Sequence, residues 1–185
     1  EHPFWQTRNG GCEARDALKK ANIPILLTTG YNDFYLGGMF KMWNEMDDET
    51  KEKCALIVSP YNHGDECYVG SGISFLKGSV AEQFGSDYRM RWFNSILNNE
   101  KQFVETGKVT YYRTFENTWK TDFYKGTMKE KVILLGSGVK TILYNPENPT
   151  AFNAEGCFMD APYKRDDIIT VYTKPMDDNL FIRGK

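Results

Sequence analysis

Two residues carry most of the chemical information in this chain. Asp33 lies in the loop that follows the apolar run Ile23-Pro24-Ile25-Leu26-Leu27-Thr28-Thr29-Gly30, and His63 lies in the loop that follows a second run, Cys54-Ala55-Leu56-Ile57-Val58. A carboxylate beside an imidazole is the acid–base half of a nucleophilic triad. The carboxylate fixes the imidazole tautomer and stabilises the imidazolium, and the imidazole takes the proton from the nucleophile. Each residue alone also has a plain structural reading. An Asp in Gly-Tyr-Asn-Asp suits a turn or a helix cap, and a lone His in a polar loop suits a solvated or hydrogen-bonded side chain. Their matched placement after successive strands is what sets the pair apart. A competing constellation, His63-x-Asp65-x-Cys67, has metal-ligand types, but structural zinc takes four N or S ligands at known spacings, and His2 and the other cysteines are scattered. No metal or organic cofactor is expected.

The elements that must position these two residues are readable. Ile23 to Gly30 is near-continuously apolar and ends in Gly, which reads as a buried parallel strand, with Pro24 at its start where a missing donor is tolerated. Gly37-Gly38 opens a stretch with Met39, Phe40, Met42, Trp43 and Met46 at helical spacing, a core-facing helix. Cys54 to Val58 is the second strand, closed by Ser59-Pro60, and a polar loop then carries His63 towards Gly78. Ser79 to about Asn98 reads as one helix, because Val80, Phe84, Tyr88, Trp92 and Ile96 recur every four residues. Glu13 to Ala21 reads as a short surface helix. Two successive strand–helix units argue an α/β fold with a parallel sheet, in which functional groups gather past the carboxyl ends of the strands. Asp33 and His63 are thereby placed at one edge. Two strands cannot make such a sheet alone, so part of it is expected elsewhere.

From about Lys108 the pattern changes to short β-branched or aromatic runs: Val109 to Phe115, Lys131 to Leu135, Thr141 to Tyr144 and Asp167 to Thr173, separated by Gly, Asn and Pro turns. This is the pattern of an antiparallel sandwich or barrel. The expected division is residues 1–124 as the α/β portion and residues 125–185 as the start of a β domain.

With 185 residues and a net charge of −2, the chain has a globular composition, and its Lys and Arg are dispersed. There is no basic footprint for nucleic acid, no basic amphipathic helix for a membrane surface, and no apolar run long enough to cross a bilayer. The start at Glu1-His2-Pro3-Phe4-Trp5 reads as a cut end. Four separated cysteines without a CxxC pair favour free thiols in a reducing, cytoplasmic setting.

The segment Ile23 to Tyr35, with Pro24, Leu26, Gly30, Tyr31 and Asp33, resembles the P-x-L-x-x-x-G-[WY]-x-D motif of the cocaine esterase and X-Pro dipeptidyl-peptidase family of serine hydrolases. Val58-Ser59-Pro60-Tyr61-Asn62-His63 resembles that family's G-P-W-x-H, and His2-Pro3-Phe4-Trp5 resembles a segment found ahead of the acid. Val109 to Phe115 with Trp119, and then Leu143-Tyr144-Asn145-Pro146-Glu147-Asn148-Pro149, resemble the beginning of its C-terminal jelly roll. The departures are Ser59 where the family favours Gly, and Tyr31 and Tyr61 where Trp is common. The resemblance implies an α/β-hydrolase sheet followed by an antiparallel jelly roll, with Asp33 as triad acid and His63 as triad base. It also implies that Phe34, Tyr35 and Trp5 line a pocket for a small ester or short peptide, although for each aromatic plain packing is an equal reading.

The nucleophile is the missing part. No serine has Gly at both −2 and +2. Ser71, Ser79, Ser86 and Ser137 sit beside glycines in the wrong register and read as turn residues. In the hydrolase order Ser, Asp, His, the serine precedes Asp33, so it is expected upstream of residue 1; the resemblance implies that the family's oxyanion Tyr and helical cap lie there too. The chain alone is then expected to be inactive. Exposed half-sheet edges would also favour homo-oligomers. The alternative is a non-catalytic relative, or a β-sandwich binding module with a vestigial hydrolase half.

Overall fold

The computed structural model describes residues 17–18, 21–63, 75, 77–122, 141–149, 165–172, 174–175 and 177. Within them, the apolar run after Pro24 forms strand β1 (Leu26–Gly30), and the second run forms β2 (Ala55–Ser59). The two pair in parallel, from Leu26 opposite Ala55 to Gly30 opposite Ser59. Every residue of β2 is buried, as a strand covered on both faces requires. Between them run α1 (Leu36–Glu45) and the single turn α2 (Asp48–Lys51).

After β2 come α3 (Val80–Phe84) and α4 (Tyr88–Leu97), then β3 (Val109–Arg113) and β4 (Thr118–Asp122). The sheet order is β1-β2-β3-β4. β3 pairs with β2 in parallel, and β4 returns antiparallel to β3 through a turn closed by Asn117 in the left-handed region. The described residues thus form an α/β structure on a mixed sheet.

Side-chain alternation on the strands divides the core into two layers. Leu27, Leu56, Val58 and Val109 face one side, where α1 delivers Trp43 and Met46 follows just past its end. Ala55 and Ile57 face the other, where α3 and α4 deliver Val80, Tyr88 and Trp92, with Val104 beside them. Burial of these side chains stabilises the fold by roughly 1.5–3 kcal/mol each for the larger aliphatic and aromatic groups.

Three expectations are corrected. The single helix over Ser79 to Asn98 is two helices, because Gly85 takes a φ of +94° that ends α3. Its apolar face survives the break: Val80, Tyr88 and Trp92 are buried, with Phe84 and Ile96 packed against them. Ser79, read as a turn residue, is the N-cap of α3. Its hydroxyl accepts from the Glu82 N–H at 3.0 Å, and the Glu82 carboxylate accepts from the Ser79 N–H at 3.3 Å, a capping box. The run from Val109, whose pattern reads as antiparallel although it falls within residues 1–124, pairs in parallel with β2 in its Val109–Arg113 part and antiparallel with β4.

Thr141 to Tyr144, and the described part of Asp167 to Thr173, carry no strand. There, the Arg165 guanidinium donates to the Asp167 carboxylate, to the Asn148 and Pro149 carbonyls and to the Asn148 side chain, joining two turns. Lys131 to Leu135 lies outside the described residues. So does all of the expected Glu13–Ala21 helix except Ala17, Leu18 and Ala21, of which Ala17 and Leu18 are helical.

Candidate active site

Past its last residue, β1 turns sharply. The Asp33 N–H donates to the Gly30 carbonyl at 3.1 Å, and the Leu36 N–H donates to the Asp33 carbonyl at 3.0 Å as α1 begins. The turn is stitched to the loop after β2. The Tyr31 N–H donates to Ser59 O at 2.9 Å, the Asn32 N–H to Tyr61 O at 3.0 Å, and Asn32 Nδ2 to Pro60 O at 3.1 Å. The two loops that carry Asp33 and His63 are therefore one hydrogen-bonded unit. Tyr61 anchors the second loop from below: it is buried, and its hydroxyl donates to Phe75 O at 2.8 Å and accepts from Phe75 N at 3.0 Å.

The structure brings Asp33 and His63 together. His63 Nδ1 lies 3.2 Å from Asp33 Oδ1 and 3.3 Å from Oδ2. An ionised carboxylate only accepts, so Nδ1 carries the proton and Nε2 presents its lone pair on the opposite side of the ring. Asp33 is held from two further directions. Thr29 Oγ1 donates to Oδ2 at 3.1 Å, and the Tyr35 N–H donates to Oδ1 at 2.8 Å. Asp33 therefore fills its plain role as a turn-forming carboxylate and partners His63 as well. The two side chains differ in access: 6% of Asp33 is exposed and 53% of His63. A buried orienting carboxylate and an accessible imidazole are what general-base work requires. Among the described residues, no hydrogen bond reaches Nε2.

Phe34 and Tyr35 both stand against His63, with ring centroids at 5.1 and 5.2 Å, and lie 4.3 Å from each other. They are exposed rather than packed under the loop, so they flank the imidazole as walls that a ligand can touch. Trp5 lies outside the described residues, as do Asp65 and Cys67 of the imagined metal site, and among the described residues no group of three metal-ligating side chains occurs. Ser86 lies in the turn between α3 and α4, and Ser71 and Ser137 lie outside the described residues.

Sequence reasoning passed over several participants. Thr29 and Gly30 complete the site from the end of β1, and Asn32 ties the loops. A cavity of about 260 Å³ adjoins the pair, lined by Thr28, Thr29, Ser59, Asn62, Val80, Tyr88 and Arg89 as well as Asp33 and His63. No local signal in the chain marks Arg89, which reaches the site only because α4 packs beside the strand ends. No protein-family model and no curated protein matches this chain.

Proposed function

We propose that this chain supplies the acid and the base of a serine hydrolase acting on small esters or X-Pro-type peptide bonds, and that its nucleophile is a serine N-terminal to residue 1. The observation that carries the reading is the Asp33–His63 pair: a buried carboxylate, fixed by Thr29 and the Tyr35 N–H, holds an accessible imidazole at the carboxyl ends of adjacent parallel strands. The motif resemblance around Asp33 and His63 supplies the class, and residues 125–185 are assigned on the same resemblance to the start of a jelly roll. A reducing, cytoplasmic setting is proposed on the scattered spacing of the four cysteines.

In the reaction, the serine hydroxyl gives its proton to His63 Nε2 as its oxygen bonds to the substrate carbonyl carbon. Asp33 keeps the imidazolium oriented and stabilised. When the tetrahedral adduct collapses, the bond to the alkoxide or amine leaving group breaks, and that group takes the proton back from His63. Water then repeats the sequence, giving its proton to His63 and releasing the acid from the acyl-enzyme. Phe34 and Tyr35 flank the leaving or acyl group.

The test is fluorophosphonate labelling of the full-length gene product, with the modified residue located by mass spectrometry. One labelled serine upstream of residue 1, with labelling lost in His63→Ala and turnover reduced by about 10⁶, is the expected result. No label on the full-length protein would overturn the hydrolase and favour a binding module, and a label within residues 1–185 would relocate the nucleophile.

A further inference from the structure

The cavity beside the Asp33–His63 pair contains a charge that the triad does not use. Its walls come from four places: Thr28 and Thr29 from β1, Ser59, Asn62 and His63 from the end of β2 and its loop, Asp33 from the first loop, and Val80, Tyr88 and Arg89 from the two helices on that face. Asp33 is committed, since its oxygens already meet Thr29, Tyr35 and His63. Arg89 is not. Among the described residues it forms no ion pair, and its guanidinium rests over the Tyr88 ring at 4.6 Å from the centroid. A guanidinium held over a ring keeps N–H donors for a ligand and loses less freedom on taking one. Arg89 also sits in the first turn of the ten-residue α4, at the positive end of the helix dipole.

The remaining lining is suited to a short polar chain. Thr28 and Ser59 offer hydroxyls, Val80 and Tyr88 offer apolar surface, and Asn62 is buried with an Oδ1 that has no hydrogen-bond partner. An arginine that forms no ion pair among the described residues and lines a cavity of about 260 Å³ beside His63 suits a small anionic group. We propose that Arg89 is a specificity-determining residue that binds a carboxylate of the substrate, so that the preferred substrates are esters or amides whose acyl chain ends in a carboxylate. This rests on the hydrolase reading for its catalytic part, while the carboxylate site itself stands on the cavity and Arg89.

Two measurements on the full-length protein separate the two ideas. The first is binding, followed by ligand-observed NMR, of succinamate against succinamide, which differ only in one carboxylate. The second is the ratio of kcat/KM for the phenyl monoester of succinate to that for phenyl butyrate, which share a leaving group. Succinamate is expected to bind more tightly, and both its preference and the kinetic ratio are expected to fall by about 10- to 100-fold in Arg89→Met, through KM, with partial recovery in Arg89→Lys. Equal binding of the two amides by the wild type, or a kinetic ratio unmoved by Arg89→Met, overturns the carboxylate site even if fluorophosphonate labels the protein. A succinamate preference lost in Arg89→Met, in a protein that neither labels nor turns over either ester, sustains the carboxylate site and sinks the hydrolase. If Arg89→Met fails to fold, Arg89→Lys carries the test, and an unchanged preference for succinamate in that variant counts against the site.

Discussion

Gly30 lies so close to the backbone of Tyr61 that a Cβ placed on it would stand 2.1 Å from the Tyr61 carbonyl oxygen and 2.7 Å from its carbon. The obstacle is main chain, which cannot rotate away as a side chain could. Gly30 is needed here for close approach of the two loops, and its φ is not in the left-handed region. In Gly30→Ala the loop holding His63 must move off the loop holding Asp33, against the Asn32-to-Tyr61 and Tyr31-to-Ser59 hydrogen bonds. The expected result is a loss of about 1–3 kcal/mol in urea unfolding and a larger fractional loss of fluorophosphonate labelling. Unchanged labelling would show that the loops tolerate separation.

Asp33→Asn keeps the size of the side chain but replaces an acceptor with an amide that can also donate. The amide no longer dictates a protonated Nδ1, and it no longer offsets the imidazolium charge. Labelling of the full-length protein is expected to slow by about 10⁴, with the unfolding midpoint little changed. A slowing of less than tenfold would reduce Asp33 to its role in the turn.

Tyr31 gives a pH signature. Its hydroxyl donates to the Tyr112 carbonyl at 2.8 Å, linking the first loop to β3. Part of the ring remains at the surface, yet desolvation of the phenol, with nearby Tyr111 adding to it and Arg113 opposing, pushes its pKa from 10.0 up to about 12. The neutral phenol is the favoured form, so the folded state holds this proton while the unfolded chain loses it. The contribution is complete below pH 10 and is lost as pH rises from there through about 12. Tyr31→Phe should lower stability near neutral pH by about 1 kcal/mol and flatten the decline between those two pH values. Some decline should persist, because burial also raises the Tyr112 pKa. Denaturant midpoints measured across that range check both parts.

Trp43 is the anchor of the α1 layer, buried among Leu27, Met46, Leu56 and Val58. Trp43→Ala is expected to destabilise by about 3–5 kcal/mol. Ser79→Ala, which removes the α3 cap on the opposite layer, is expected to cost about 1 kcal/mol. Chemical unfolding followed by circular dichroism distinguishes the two magnitudes.

The parts of this architecture that could be read from sequence are those whose signal is local. β2 declared itself because burial on both faces leaves no polar positions from Ala55 to Val58. Asp33 and His63 were legible because strand ends can be located without knowing the tertiary fold. The α3–α4 break was hidden because Gly85 interrupts the chain without disturbing the four-residue spacing on either side. β3 was misassigned for a different reason. A run such as Val-Thr-Tyr-Tyr-Arg suits a parallel or an antiparallel neighbour equally well, and only pairing with Leu56, Ile57 and Val58 decides between them. Thr29 as a donor to Asp33, and Arg89 at the cavity, depend on which surfaces meet, and no spacing along the chain encodes that.

The order β1-β2-β3-β4 gives the sheet two unlike margins. On β4, Lys120 and Asp122 stand on the outer strand, and Lys120 pairs with Glu116 at 3.9 Å; charge of this kind discourages a further strand. On β1, the Ile25 carbonyl and the Tyr31 N–H point towards β2, so the peptide groups of Leu26 and Thr28 point outwards, in a strand with no charged residue. Among the described residues, one margin discourages growth and the other offers a template for it. Among the described residues, β1 is therefore the margin better suited to an additional strand, in line with the turn that carries Asp33.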